Sequence, residues 1–114
     1  MKDILIVDDS VFIQLGLKYT LEDCFKNTNV YVARDIQEAD VMLAKHDNIG
    51  LVVSETYFNS SDQLDELEAL CDKYHTKKFG ILTTQEFDKS DKFIFKHEKP
   101  IEYIDVCKSI DKYL

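Results

Sequence analysis

Short apolar runs alternate with longer segments of helical periodicity along the chain, and this alternation restricts the fold more than any other feature. A run of β-favouring residues closed by polar ones is typical of a strand that is covered on both faces. Strands that alternate with helices through short connections require right-handed crossovers, which place helices on both faces of a parallel sheet. The first four runs predicted as strands are Asp3–Val7, Val30–Ala33, 50–56 and 78–84.

The segments between these runs repeat apolar residues at helical spacing. The first predicted helix covers 11–25, with Asp9 or Ser10 as its cap. A second helix begins at Asp35, and a third covers about 62–75. The apolar residues that define these helices are Phe12, Leu17, Leu21 and Cys24 or Phe25 in the first, Ile36, Ala39, Met42 and Leu43 in the second, and Leu64, Leu67, Leu70 and Cys71 in the third.

The chain after residue 84 departs from this regularity. Residues 85–92 are too few and too polar for an ordinary crossover helix, so a loop or a single helical turn should lead to a fifth strand near 93–95. The fourth helix is therefore predicted to be shortened or missing. Pro100 can start the last helix. The predicted inner face of that helix consists of Ile101, Ile104, Cys107, Ile110 and Leu114.

Composition places the chain among ordinary globular domains. Its 114 residues, 45% hydrophobic and 32% charged, suit one domain over 1–114 that needs no disulfide or metal for stability. The formal net charge of -8 argues against nucleic acid as a partner, because phosphate neutralisation needs clustered Lys and Arg. No apolar segment could span a bilayer and none resembles a signal peptide, so we expect a cytoplasmic protein without membrane contact.

The three cysteines, Cys24, Cys71 and Cys107, lie far apart in segments predicted as helices. They show neither the spacing of a disulfide framework nor that of a metal site such as Cys-x-x-Cys. We expect all three to be small, buried, apolar residues in a reducing compartment.

Acidic side chains follow two of the predicted strands. Asp8 and Asp9 come directly after the first strand, and Glu55 stands near the end of the third. Functional crevices of open α/β sheets form outside the carboxyl ends of the strands, so these acids are candidate site residues. An acidic residue in this place can also serve only to stabilise the N-terminus of the next helix.

The order of these features carries a family resemblance. The run Ile-Leu-Ile-Val-Asp-Asp-Ser, a buried strand ending in an acid, a strand ending in Thr, and Lys-Pro before the last helix together resemble the receiver domain of two-component response regulators. The resemblance covers nearly the whole chain. It implies a flavodoxin-like, doubly wound five-stranded parallel sheet of order 2-1-3-4-5. The segment Ser-Val-Phe-Ile-Gln-Leu-Gly-Leu-Lys is similar to receivers attached to helix-turn-helix transcription regulators.

The resemblance also implies roles for individual residues. Asp8 and Asp9 match the acidic pair that holds Mg²⁺, and Glu55 stands where the phosphoacceptor Asp is expected. Thr84, or less favourably Thr83, matches the switch hydroxyl. Lys99 matches the lysine that contacts the phosphoryl group, with Pro100 favouring it over Lys96 as the residue at the strand end.

Glutamate in the acceptor position changes the expected chemistry. Its carboxylate stands about 1.5 Å farther from the backbone than that of aspartate. A misplacement of about 1 Å can cost on the order of a hundredfold in rate, so we expect no useful phosphorylation at Glu55. Glu55 could instead partly imitate a phosphorylated aspartate with about one negative charge, or it could be inert.

The acids require a compensating cation. Two carboxylates about 4 Å apart repel by roughly 4 kcal/mol at an effective dielectric constant of 20. Mg²⁺ could supply the charge, or the Lys99 ammonium could do so alone. If Lys99 does so, no metal is required, and at least one carboxylate should have a raised pKa.

These features predict a signalling module rather than an enzyme: a phosphorylation-independent pseudo-receiver that acts by protein contact. The expected partner is another protein or its own output domain, with transcription as one output and a homodimer as one assembly. Phe93, Phe95 and Tyr103 could belong to the contact face, although core packing is the simpler role for at least two of them. A conventional Mg²⁺-dependent phosphoacceptor and a stand-alone adaptor with a vestigial site remain alternatives.

Overall fold

The computed structural model describes residues 2–84 and 92–113. Within these residues one parallel sheet contains five strands, and a separate two-stranded hairpin follows the third of them. The strands are β1 (Asp3–Val7), β2 (Val30–Ala33), β3 (Ile49–Ser54), β4 (Tyr57–Phe58), β5 (Ser61–Asp62), β6 (Lys78–Thr83) and β7 (Phe93–Glu98). The helices are α1 (Val11–Cys24), α2 (Ile36–Lys45), α3 (Leu64–Lys73) and α4 (Tyr103–Asp111).

The large sheet has the order β2-β1-β3-β6-β7, with every neighbouring pair parallel. Counted without the hairpin strands, this is the predicted order 2-1-3-4-5. The fold class predicted from the sequence is therefore confirmed.

Apolar side chains from the central strands pack on both faces of the sheet. In β1 all five residues are buried: Leu5 and Val7 face the core under α2 and α3, whereas Ile4 and Ile6 face the core under α1 and α4. Full burial stabilises a side chain of this size by roughly 1.5–3 kcal/mol. The two cores together explain why these strands contain almost no polar residues.

Helix α1 begins at Val11 as predicted and ends one residue early, at Cys24. The prediction that Phe12 lies on its inner face is wrong, because Phe12 is 86% exposed. Of the alternatives Cys24 and Phe25, Phe25 is the buried residue, and the expectation that all three cysteines are buried fails at Cys24, which is exposed. The buried residues of the helix are Leu17 and Leu21, which lie one turn apart. The apolar side chain of Phe12 lies on another face of the helix, which spacing alone did not distinguish.

Helix α4 begins at Tyr103, later than the predicted start at Pro100, and the Lys99-Pro100 peptide bond is cis. Its buried residues are Val106, Cys107 and Ile110. Ile104 is 53% exposed, so its assignment to the inner face is wrong. The predicted contribution of Leu114 lies outside the described residues.

The prediction for the fourth helix falls on residues 85–91, which lie outside the described residues. The flanking strands are described: β6 ends at Thr83 and β7 begins at Phe93, so residues 84–92 connect them. An ordinary crossover between parallel strands needs a dozen or more residues, and this connection is shorter.

The segment after Glu55 contains the β4–β5 hairpin, which the sequence pattern did not predict. Phe58 anchors the hairpin because its side chain is fully buried in the core under α2 and α3. The turn residues Asn59 and Ser60 have φ angles of 52° and 62°, the left-handed conformation that two-residue hairpin turns require. None of the helices within 2–84 and 92–113 has the length and hydropathy that crossing a bilayer requires.

Candidate functional site

Three backbone hydrogen bonds bring the candidate residues to one edge of the sheet. The amide of Asp8 lies one residue beyond β1, that of Glu55 one residue beyond β3, and that of Lys99 one residue beyond β7. Asp8 donates its amide proton to the carbonyl of Ala33 (3.0 Å), Glu55 donates to that of Val7 (2.9 Å), and Lys99 donates to that of Thr83 (3.0 Å). Each bond continues the pairing of neighbouring strands, so the side chains emerge together at the carboxyl end of the sheet.

Lys99 joins the two acids. Its Nζ donates to Oδ2 of Asp8 at 2.6 Å and to Oε2 of Glu55 at 2.7 Å. The side chains are only 13%, 3% and 5% exposed for Lys99, Asp8 and Glu55. Since β6 separates β7 from β3, the lysine crosses roughly 10 Å of sheet, and the reach of its long side chain makes the contact possible.

The remaining carboxylate oxygens are also hydrogen-bonded. Oε1 of Glu55 accepts the backbone N–H groups of Thr56 at 2.8 Å and Tyr57 at 3.2 Å. Oδ1 of Asp8 accepts the backbone N–H of Ser10 at 2.8 Å. All four oxygens of the two buried acids therefore have a donor, as buried carboxylates require.

The electrostatics of the cluster follow from its burial. Burial raises the pKa of Asp8 above its ordinary value, with Glu55 adding to the rise, while Lys99 and the Ser10 amide act in the opposite direction. Burial alone would lower the pKa of Lys99, but its hydrogen bonds to Asp8 and Glu55 raise that pKa instead. One ammonium thus serves two carboxylates, and one of the two has the raised pKa that the sequence predicted for a site balanced by lysine.

Asp9 lies apart from this cluster. Its side chain is exposed, and its Oδ2 accepts the backbone N–H of Asn59 at 3.1 Å, in the turn of the β4–β5 hairpin. The hairpin therefore contacts one member of the acidic pair, whereas Lys99 contacts the other.

The arrangement does not fit a magnesium site of the kind that the resemblance implies. Mg²⁺ needs several oxygen ligands directed at one point. Within 2–84 and 92–113 no group of three or more His, Cys, Asp or Glu residues is arranged to hold a metal ion. Asp8 and Glu55 both direct an oxygen at Lys99, and Asp9 directs one at the hairpin. The positive charge between the two buried acids is the lysine itself.

The structure also distinguishes the alternative residues left open by the sequence. The Nζ of Lys96 lies 3.4 Å from Glu98, whereas Lys99 is the lysine in the acidic cluster. Thr84 is exposed after the end of β6. Thr83 is fully buried, and its hydroxyl oxygen lies 3.0 Å from that of Thr56, the residue after Glu55.

Sequence reasoning missed the backbone groups that hold the acids. The amides of Thr56 and Tyr57 carry no side-chain signature, so no pattern could identify them. The hairpin could have been found, because Asn59-Ser60 between Phe58 and a polar residue is a plausible two-residue turn. The Thr56–Thr83 pair became visible only when the pairing of β3 with β6 was known.

Comparison with solved structures identifies the architecture. The chain is similar to the response regulator TrrA of Thermotoga maritima in complex with Mg(2+)-BeF, with a TM-score of 0.83 and 23% identity over 100% of both chains. It is similar to the chemotaxis protein CheY4 of Vibrio cholerae, with a TM-score of 0.82 and 20% identity over 100% of this chain and 99% of that one. The chain has the receiver fold.

A response regulator receiver domain protein from Clostridium thermocellum superimposes on this receiver fold equally well. Its TM-score is 0.82 at 19% identity, over 98% of this chain and 93% of that one. No family model matches the sequence, and no curated protein matches it either. At such low identity the likeness extends to the fold, and the functional conclusion must come from the site.

Proposed function

We propose that the chain is an atypical receiver domain that takes part in two-component signalling by protein contact, without accepting a phosphoryl group. Two findings support this proposal: the receiver fold, and the buried ion cluster at the carboxyl end of its sheet. The observation that carries it is the position of Lys99, whose Nζ lies 2.6 Å from Asp8 and 2.7 Å from Glu55.

The chemistry of phosphoryl transfer argues against Glu55 as an acceptor. Such transfer depends on placing a nucleophilic oxygen in line with the leaving group while cations neutralise the developing charge. Both oxygens of Glu55 already accept hydrogen bonds, one from Lys99 and the other from two backbone amides. An attacking oxygen would have to give up these partners, and its position already differs from that of aspartate.

The same contacts favour imitation of the modified state. Lysine ammonium and backbone N–H groups are donors that bind phosphoryl oxygens. Glu55 engages both kinds of donor with about one negative charge, where a phosphoryl group would bring nearly two. We infer a domain held in one signalling state, with the imitation incomplete. The switch role predicted for Thr84 remains a prediction, and Thr83, whose hydroxyl is buried beside Thr56, is a second candidate for it.

The partner is proposed on the same basis. A domain that does not change its phosphorylation state signals through whatever it contacts, either a separate protein or an output domain in the same polypeptide. Control of transcription and a homodimer are two forms that this could take in the cytoplasm. Neither needs a metal ion.

A conventional Mg²⁺-dependent phosphoacceptor is the second candidate. It is favoured by the retention of Asp8, Asp9 and Lys99 and by the similarity to TrrA, whose structure is of a complex with Mg(2+)-BeF. A stand-alone adaptor with a vestigial site would share the fold and differ in having an inert Glu55.

Intact mass measurement after incubation with acetyl phosphate and Mg²⁺ separates these candidates. We expect the wild-type mass to be unchanged. The Glu55→Asp variant should gain one phosphoryl group if the rest of the pocket is competent, because aspartate restores the acceptor geometry. A variant that gains nothing would favour the vestigial site over imitation.

Glu55→Gln is the matched control, since it keeps the length of the side chain and removes the nucleophilic carboxylate. A metal-dependent phosphoryl adduct on the wild type that is absent from Glu55→Gln would overturn the proposal in favour of the conventional receiver.

A further inference from the structure

Two of the three cysteines lie together where the end of α1 meets α4. Cys24 is the last residue of α1, and Cys107 lies in the second turn of α4. Both line one surface cavity of about 210 Å³, together with Phe25, Lys108 and Asp111. The two residues are 83 positions apart in sequence (107 minus 24), so only the fold brings them together.

The two thiols have different access to solvent. Cys24 is exposed, whereas Cys107 is 5% exposed and packs in the core under α1 and α4. Packing explains the buried residue, but it gives no reason for a thiol at the exposed position. Cys71 lies in the other core, on the opposite face of the sheet. It is therefore a natural internal control for any reaction between the first two.

We propose that Cys24 and Cys107 form an oxidisable pair, and that a low-molecular-weight disulfide such as oxidised glutathione converts them to an intramolecular disulfide that ties the end of α1 to α4. The site is independent of the acidic cluster, so the inference stands whether or not Glu55 accepts a phosphoryl group.

The reaction proceeds by two thiol–disulfide exchanges. The exposed Cys24 loses its proton and attacks one sulfur of oxidised glutathione, so that a mixed disulfide forms and one glutathione thiolate leaves. Cys107 then loses its proton to solvent and attacks the Cys24 sulfur, releasing the second glutathione thiolate. Each released thiolate takes up a proton. Two protein thiols are oxidised and one glutathione disulfide is reduced to two thiols.

The second exchange should be the slow one. In the reduced protein burial, with a smaller contribution from the adjacent Cys24 thiol, raises the pKa of the Cys107 thiol to about 12. Burial is the larger cause and does not depend on a free Cys24 thiol, so it still applies when Cys24 carries glutathione. Little Cys107 thiolate is therefore present near neutral pH. As long as the pH stays below that pKa, raising it by one unit increases the amount of thiolate about tenfold. Lys108 and Asp111 are the charged groups that line the same cavity. Their opposite charges act in opposite directions on a thiolate in that cavity. The mixed disulfide on Cys24 should therefore accumulate first and resolve faster at higher pH.

Intact mass measurement of the full chain, first reduced and then incubated with oxidised glutathione, tests this inference. We expect a transient glutathione adduct, followed by a product that has lost two hydrogen atoms and in which a non-reducing peptide map joins Cys24 to Cys107. Because the closed loop is long, the oxidised protein should melt at least about 4 °C above the reduced one.

Three variants make the outcome decisive. Cys71→Ser should form the disulfide as the wild type does. Cys24→Ser should neither lose two hydrogen atoms nor gain stability on oxidation, and its exposed position makes the substitution compatible with folding. Cys107→Ser should stop at the glutathione adduct. A wild-type product that keeps only the adduct, shows no change, or contains a bond to Cys71 would overturn the proposal.

Discussion

The Lys99 ammonium determines the charge balance of the candidate site. It is shared by two carboxylates that are almost completely buried. Burying a charge is costly unless it is paired and hydrogen-bonded, and removing one partner leaves the others uncompensated. The side chain should therefore matter far more to this protein than an ordinary surface lysine does.

Replacing Lys99 with Met should destabilise the protein by about 3–5 kcal/mol near pH 7, because Asp8 and Glu55 would remain buried without a cation. The loss should be smaller at about pH 5. A carboxyl group whose pKa is raised in the folded state binds protons more tightly there than in the unfolded chain, so lower pH favours folding. Urea unfolding at the two pH values measures both effects.

Lys96→Met is the matched control, because Lys96 lies in β7, the strand that leads to Lys99, and its Nζ is 3.4 Å from the exposed Glu98. A partly exposed pair of this kind contributes at most about 1 kcal/mol, so this variant should remain close to the wild type at both pH values. Equal losses in the two variants would show that the cluster has no special electrostatic role.

The same cluster should make the stability of the wild type fall at high pH. Because the pKa of Lys99 lies above its ordinary value of 10.5, its contribution is fully present below that pH and is lost as the pH rises through the folded-state pKa. In Lys99→Met this part of the alkaline destabilisation should be absent. Urea unfolding at a series of alkaline pH values measures this effect. If the free energy of unfolding of Lys99→Met falls with pH as steeply as that of the wild type, the assignment of the proton to Lys99 is contradicted.

Strands β6 and β7 depend on a close approach between Gly80 and Phe95. A Cβ added to Gly80 would overlap the Phe95 ring, which is itself only 7% exposed. Gly80→Ala should therefore destabilise the protein by about 1–3 kcal/mol through overpacking, measured by urea unfolding. The overlap with Phe95 would also displace β7, the strand that positions Lys99.

Gly50→Ala is the control for that substitution, since Gly50 also lies in a central strand. Its added Cβ would meet the Cβ and Cγ of Lys2 at 2.6 Å, so Lys2, an exposed residue that precedes β1, would have to shift. The change should cost less than Gly80→Ala, because an exposed residue outside the sheet can be displaced more easily than a buried ring. A Gly80→Ala variant as stable as Gly50→Ala would show that the Phe95 contact is not restrictive.

Strands were easier to predict than helix faces. A strand appears in the sequence as a continuous apolar run between polar residues, so β1 and β2 have the predicted bounds. Helix faces are less determined, because an apolar residue one position away points about 100° elsewhere. This is why Phe12 and Ile104 were wrongly assigned to inner faces and are exposed instead. The hairpin was missed because Phe58 is the single apolar residue that anchors it.

For the molecule as a whole, the order of elements determined the topology. Parallel strands joined by helices leave few arrangements, and the predicted strand order is the observed one. The ends of the strands then placed Asp8, Glu55 and Lys99 at one edge. The sequence favoured Lys99 over Lys96 as the lysine of the site. It could not predict that Lys99 contacts both acids, that Asp9 turns to the hairpin, or that backbone amides hold Glu55, because these depend on side-chain direction in three dimensions.

The central claim is that Lys99, rather than a metal ion, is the cation between Asp8 and Glu55, and a Mg²⁺ titration followed by thermal unfolding tests it directly. A ligand that binds only the folded state raises its stability in proportion to the logarithm of concentration, by about 1.4 kcal/mol at ten times the dissociation constant. We predict no change in the melting temperature of the wild type up to about 10 mM Mg²⁺ beyond that caused by matched ionic strength. A melting temperature that rises steadily with Mg²⁺ and that loses this rise in an Asp9→Asn variant would contradict the account.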